Sequence, residues 1–339
     1  MSPRVSFIIA SYNYGRYLGQ AVDSILAQTY GDLEVIVIDD CSTDDSRAVL
    51  AAYAKEPRVR VVQHERNLGH LRTYNEGIGL ARGEFVGLFD ADDLCFRRDA
   101  VQRQVAVFDA DPGVGLVYSA QAYVDEEGAQ FREFKPWAVD YVRDGFVEFA
   151  DLAFRNYIAH TGTLIRRQAH ERLGVYDLEL PHSGDWELWL RVATAYRIGY
   201  IADALFAYRI HGRNMSVARH SARWANQQIA LAVNKGFDAL RQDAPPSLRG
   251  LRRSAIRHSL LATHWGDRGL GRVRRSWVGL LDAPLRAPSL LATKMFYAAL
   301  ARTLVLTMVG FPRYQKLSRW RGARPMGGVA AASLPARQG

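Results

Sequence analysis

The chain has 339 residues, enough for one large domain with an appendage or for two domains. Hydrophobic residues make up 48% and charged residues 23%, which excludes a disordered or fibrous chain. The net charge of +9 is unevenly spread: residues 249–324 hold 16 Lys+Arg against 2 Asp+Glu, while residues 1–248 hold 27 against 33. A mildly acidic body therefore carries a strongly basic C-terminal region. That asymmetry suggests an anionic partner surface, and a merely solvated basic face fits it equally well. Cys41 and Cys95 are too few for a disulfide framework and lack metal-site spacing, so they read as buried free thiols of a reducing cytoplasm. The N-terminus runs almost directly into VSFIIASYN, with no long apolar signal core.

In chain order, residues 5–10 predict a short buried strand. Leu18, Val22, Ile25 and Leu26 follow at helical spacing. Residues 34–38 predict a strand ending at Asp39-Asp40, and 42–45 offer caps for a helix over 47–54. A third strand is expected at 59–62, a helix over 73–81 closed by Gly83, and a fourth strand over 85–89 ending at Asp90. A helix over 100–109 and a strand over 115–118 continue the alternation. Such β-α units imply an α/β fold: a Rossmann-like, mostly parallel sheet with helices on both faces. Ligands then bind outside the carboxyl ends of the strands, where Asn13, Asp39-Asp40 and Asp90–Asp93 should converge.

Residues 120–215 are mixed. Residues 125–128 predict a hairpin or loop tip, 186–194 a helix and 206–210 a short strand. From about Ser221 the pattern becomes helical and Arg-rich, with breaks at Pro245-Pro246, Pro284 and Pro288. The domain reading is 1–216 (halves 1–119 and 120–216), a helical basic region over 217–321, and a Gly/Ala/Pro-rich disordered tail over 322–339.

Phe89-Asp90-Ala91-Asp92-Asp93 is the strongest chemical signal. Three acids within four residues repel one another unless one is protonated or a cation is present. Hard divalent cations with oxygen ligands suit the cluster; a turn or a cap for the helix over 100–109 is the structural alternative. Asp39-Asp40 at a strand tip can accept hydrogen bonds from a ribose or base, or can serve as a cap. Neither GxGxxG near the first strand nor a P-loop is present, so dinucleotide and P-loop readings are weak.

Taken together, VSFIIASYNYGRYLGQAVDSILAQTYGDLEVIVIDDCSTDDS, RNLGHLRTYNEGIGLARGEFVGLFDADD, SGDWELWLR and YRIHGRNMS resemble a family 2 glycosyltransferase of the GT-A fold, over about residues 3–216. The resemblance implies that Ala10, Tyr12 and Asp40 hold the nucleotide base, with Asp39 beside them at the base or ribose. It implies that Asp90 and Asp92 form the Asp-x-Asp motif holding Mg²⁺ or Mn²⁺ on the diphosphate, and that Arg72 approaches the phosphates or base. Asp185 matches the acceptor base, although Gly184 replaces the acid that many members carry before it. His211 falls where some GT-A enzymes place a third metal ligand. Glu187 is the fallback for the base, and Trp186 and Trp189 are candidates for stacking on sugars.

The expected reaction is an inverting displacement. Asp185 takes a proton from an acceptor hydroxyl, and a nucleoside diphosphate leaves. The expected partners are a nucleotide-sugar donor (UDP or TDP favoured), a glycan or lipid-linked acceptor of the cell envelope, and an anionic membrane surface, but no nucleic acid. The expected location is cytoplasmic, peripheral on the inner face of the plasma membrane. The rivals are a nucleotidyltransferase, which would want a Gly-rich basic loop where Ser11–Arg16 has one Gly, and a non-catalytic basic scaffold. Residues 289–311 are apolar enough to suggest a membrane span, but Lys294 and Arg302 favour a helix lying in the interface.

Overall fold

A computed structural model describes residues 2–214, 222–269 and 273–309. The boundary expected at 216–217 and the tail expected over 322–339 lie outside the described residues. The chain divides into two compact units. One comprises Met1–Leu152, Asn156–Ala218 and Ala239–Ala244; the other comprises Ala153–Arg155, Arg219–Asp238 and Pro245–Gly339.

The first unit opens with β1 (Val5–Ser11), α1 (Gly15–Leu26), β2 (Leu33–Asp39), α2 (Ser46–Ala51), β3 (Val59–Gln63), α3 (His70–Leu80) and β4 (Phe85–Asp90). These four strands pair in parallel in the order β3-β2-β1-β4. β2 is buried at every position and β1 nearly so, which is why both read as continuous apolar runs rather than alternating ones. Their parallel register aligns the carboxyl ends: Ser11 stands opposite Asp39, and Ala10 opposite Asp90. The acids legible in sequence therefore meet along one edge of the sheet.

The chain continues through β5 (Leu94–Cys95), α4 (Ala100–Ala110), β6 (Val114–Val124), β7 (Gln130–Phe134), β8 (Tyr141–Arg143), α5 (Gly145–Leu152), β9 (Thr163–Arg166), α6 (Arg167–Leu173), α7 (Gly184–Ala193) and β10 (Arg197–Arg209). The sheet extends as β4-β9-β6-β10-β5, with β7 on β6 and β8 on β10. β9 lies antiparallel between β4 and β6, while β10 runs parallel to β6, so the second half is mixed. β6 and β10 are longer than the strands expected from their apolar centres, because each pairs on several sides. The polar tip at 125–128 closes the β6–β7 hairpin, with the Gly128 N–H donating to the Asp125 carbonyl. Gly83 does not close α3, which ends before Ala81. Its role is close approach: a Cβ there would lie 2.7 Å from the Ser6 backbone nitrogen.

The second unit holds α8 (Ala222–Asp238), α9 (Pro246–Gly250), α10 (Arg252–Gly269), α11 (Val273–Arg286), a single 3-10 turn at Pro288–Ala292 and α12 (Lys294–Val309). Leu260, Leu261, Leu280, Ala283, Leu290, Phe296 and Ala299 form its core. Pro246 and Pro288 start new elements, as proline at a first helical position should. Pro284 instead sits inside α11. The apolar run from 289 is interrupted at extended Thr293, and among the described residues no helix is long and apolar enough to cross a membrane.

Candidate active site

The loop after β1 meets the loop after β2. Asn13 and Cys41 both adopt positive φ, 59° and 65°, in the left-handed region that non-glycine residues avoid. Cross-loop hydrogen bonds hold Asn13 there. Its Oδ1 accepts from the Thr43 N–H at 2.7 Å, and its own N–H donates to Ser42 Oγ at 2.9 Å. Ala10 is partly buried at the end of β1, and the Tyr12 ring beyond it is 45% exposed, open to stacking. Arg72 is exposed on the first turn of α3.

The two aspartates at the tip of β2 differ sharply. Asp40 is buried and satisfied by protein. It accepts from His64 Nδ1 at 2.7 Å, from the Leu68 N–H at 2.7 Å and from the Gly69 N–H at 2.8 Å. Asp40 thus pins the loop that leads into α3, where Gly69 supplies a φ of 85°. Asp39 is fully buried, yet only its Oδ1 is engaged, by the Ser42 N–H at 3.2 Å. Its Oδ2 has no hydrogen-bond partner among the described residues, and Arg47 Nε stands 3.6 Å away. Opposite it in register, the buried Ser11 hydroxyl also has no hydrogen-bond partner among the described residues. Buried polar atoms left unpaired are costly, and a bound ligand offers one way to satisfy them.

The acidic loop after β4 is split three ways. Asp90 accepts from the hydroxyls of Tyr74 at 2.7 Å and Thr161 at 2.8 Å and faces His160 Nδ1 at 3.2 Å. Burial opposes its ionisation, but His160 and the two hydroxyls hold it below the usual carboxylate range. Asp92 is buried against His211: Nε2 lies 2.9 Å from its Oδ2, and Asn214 Nδ2 donates to the same oxygen at 3.1 Å. Burial, then the charge of Asp90, raise the Asp92 pKa. Asp93 is wholly buried; burial and then its two acidic neighbours push its pKa well up. It accepts from the Arg209 N–H at 2.8 Å, and its other oxygen lies against the Thr161 hydroxyl, whose single proton it shares with Asp90. Neither Asp92 nor Asp93 caps α4, which begins after Asp99.

The His211 ring is fixed by two contacts. The Arg213 N–H donates to its Nδ1 at 3.1 Å, which places the proton of the neutral ring on Nε2, facing Asp92. Tyr17 stacks on the ring at 4.9 Å between centroids. Asp92 and His211 therefore converge on one point, where a cation would replace the Nε2 proton. Asp90 does not join them: no three His, Cys, Asp or Glu among the described residues gather at ligand spacing. Of the expected ligands Asp90, Asp92 and His211, the last two are in direct contact, while the oxygens of Asp90 are held by Tyr74, Thr161 and His160. A pair still suits Mg²⁺ or Mn²⁺ on a diphosphate, since phosphate oxygens and water complete such shells.

Asp185 lies on the first turn of α7, partly buried. The Trp186 N–H donates to its Oδ1 at 2.7 Å and Asn156 Nδ2 to its Oδ2 at 3.0 Å. Burial raises its pKa above the ordinary carboxylate range. Burial resists protonation of His160, yet the charges of Asp90 and then Asp185 shift it towards its charged form. The imidazole thus feels the acidic loop on one side and Asp185 on the other.

Two sugar-stacking candidates are core residues. Trp189 is fully buried, and Trp186 is 5% exposed with Nε1 donating to the Leu152 carbonyl at 2.8 Å. The fallback base Glu187 is buried and paired with Arg191 at 2.6 Å. The cysteines are free and only partly buried; burial lifts the Cys95 thiol to about 12.

The family model described as "Glycosyl transferase family 2" matches residues 6–174. Glycosyltransferase GlyG of Streptococcus pneumoniae is 37% identical over 257 residues, covering 71% of this chain and 82% of GlyG. The chain belongs to glycosyltransferase family 2. S. aureus TarS 1-349 in complex with UDP-GlcNAc matches its structure with a TM-score of 0.63 at 17% identity, covering 95% of this chain and 92% of that one. The mannosyltransferase PcManGT from Pyrobaculum calidifontis, in complex with GDP-Man and Mn²⁺, matches with a TM-score of 0.58 at 21% identity, covering 95% and 85%. These likenesses establish the GT-A fold, and family membership sets aside the nucleotidyltransferase and scaffold readings.

Several residues of this glycosyltransferase's site carried no signal in sequence. Tyr74, His160 and Thr161 surround Asp90, and Asn156 holds Asp185. Arg209 buries its guanidinium and ties the acidic loop by donating to the Asp92 carbonyl at 2.8 Å and to Gln20 Oε1 at 2.8 Å. The Tyr176 hydroxyl is buried without a hydrogen-bond partner among the described residues, its ring 6.1 Å from that of His160.

Proposed function

We propose that this glycosyltransferase moves a sugar from a UDP- or TDP-sugar to a hydroxyl acceptor with inversion at the anomeric carbon. The observation that carries this reading is Asp185, a lone carboxylate with a raised pKa, across His160 from the acidic loop. Asp185 takes the proton of the acceptor hydroxyl, whose oxygen attacks the anomeric carbon from the face opposite the leaving group. The bond to the diphosphate oxygen breaks and the nucleoside diphosphate departs. One base suffices, because a single displacement needs no covalent carboxylate intermediate.

Tyr12 stacks on the base, the backbone at Ala10 borders it, and Asp39 accepts a pyrimidine N–H or a ribose hydroxyl through Oδ2, which faces Arg47 at 3.6 Å but has no hydrogen-bond partner among the described residues. Asp40 supports that pocket by fixing the loop at 67–69. Arg72 approaches the phosphates. Asp92 and His211 would hold Mg²⁺ or Mn²⁺, which supplies Lewis-acid neutralisation of the departing diphosphate. Asp90, kept ionised, orients His160 and Tyr74 around the donor.

The acceptor proposed is a growing cell-surface polysaccharide or a lipid-linked glycan, and the location proposed is cytoplasmic, peripheral on the inner face of the plasma membrane. A donor panel tests the central reading. Release of UDP or TDP from its sugar, with the product anomer inverted by NMR, supports it. Turnover confined to GDP-sugars, or retention of configuration, overturns it.

A further inference from the structure

α11 and α12 lie alongside each other within the second unit, and the Trp277 indole N–H donates to Thr307 Oγ1 at 2.9 Å across their seam. On α11, Val278, Leu281 and Leu285 recur at helical spacing and are 41%, 61% and 74% exposed. On α12, Tyr297, Leu304 and Met308 do the same at 55%, 40% and 78%. The buried residues of the two helices, Leu280 and Ala283 on α11 and Phe296, Ala299 and Leu306 on α12, point the other way. Both exposed stripes therefore flank one seam, and together they make a single apolar face.

The charges around this face have one sign. Arg274 on α11 and Lys294 on α12 are exposed beside the stripes. The one acid in residues 273–309, Asp282, is buried and paired with Arg286 at 2.7 Å and Arg223 at 3.3 Å. An apolar face bordered by cations and lacking exposed acid is complementary to anionic lipid headgroups above acyl chains. It opposes a second copy of itself, which would bring like charges together. Among the described residues no helix is long and apolar enough to cross a membrane, and the described part of α12, 16 residues or about 24 Å, is shorter than a hydrocarbon core of about 30 Å.

We infer that the α11–α12 face docks the protein in the plane of an anionic bilayer, with Leu285 and Met308 entering the headgroup boundary. This deepens the peripheral location proposed above and is independent of the transfer chemistry. The test is flotation of the full chain with phosphatidylcholine vesicles and with phosphatidylcholine–phosphatidylglycerol vesicles at low salt. The wild type should float with the anionic vesicles alone and be released by salt. L285E/M308E should lose at least about tenfold in bound fraction, and R274Q and K294Q about fivefold each, the scale of one surface cation at a charged membrane. Both sets change exposed residues, so thermal unfolding and donor turnover in solution should stay at wild-type values, which separates failure of docking from failure of the enzyme. Failure of the wild type to float, or flotation of L285E/M308E at the wild-type level, overturns the inference. So does a wild-type dimer in sedimentation velocity that L285E/M308E splits without any vesicle binding, since the face would then belong to a second copy.

Discussion

Asn156 Nδ2 donates to Asp185 Oδ2 at 3.0 Å, although 29 residues separate them. This bond stabilises the ionised base against burial, which raises its pKa. A base works deprotonated, so activity should fall as pH drops through that raised value. Asn156→Ala should move the acid limb of kcat/KM upward by about one unit, the scale of a hydrogen bond to a charged group. Asp185→Asn should lower kcat at least about a hundredfold with little change in donor affinity. Near-normal kcat in that variant would remove Asp185 from the role.

The Asp92–His211 pair carries the metal prediction. Excess EDTA should abolish turnover, and Mg²⁺ or Mn²⁺ should restore it. Asp92→Ala should be inactive yet folded by circular dichroism, and His211→Ala should need more metal for half-maximal rate. Full activity in EDTA would sink the metal role.

Asp39 and Asp40 should separate in experiment despite adjacency. Asp39→Asn should weaken UDP binding by roughly 1.5–3 kcal/mol in calorimetry, because its Oδ2, without a hydrogen bond among the described residues, is the acceptor on offer. Asp40→Asn should act mainly on stability, costing about 1–3 kcal/mol, because it would withdraw a charged acceptor from His64, Leu68 and Gly69. The reverse pattern would return base recognition to Asp40.

His170 predicts an acid sensitivity unrelated to catalysis. Burial lowers its pKa from 6.5 to about 4, and neither ring nitrogen has a hydrogen-bond partner among the described residues. The unfolded chain binds the proton first, so stability should be complete above pH 6.5 and fall between about 6.5 and 4. The loss should be on the order of 3 kcal/mol. His170→Leu should flatten that slope in urea unfolding at several pH values; an unchanged slope would assign it to other groups.

The strands β1, β2 and β4 and the acids at their tips were legible in sequence because they are local. An apolar run buried on both faces has to be written in consecutive residues, and the acid that ends it is adjacent. The order of the blocks was enough for the family. β9 between β4 and β6 was not legible, because antiparallel insertion leaves no periodicity distinct from any short apolar run. Nor was the division of labour among neighbouring acids. Asp39 and Asp40 look alike in sequence; only the folded chain brings Leu68 and Gly69 to one and leaves the other an oxygen with no hydrogen bond among the described residues. The same holds for Asp92, paired with a histidine 119 residues away, and for Asp90, taken by Thr161 and His160. Hydrogen-bond capacity belongs to the residue type, but which partner consumes it is decided by packing between segments far apart in the chain.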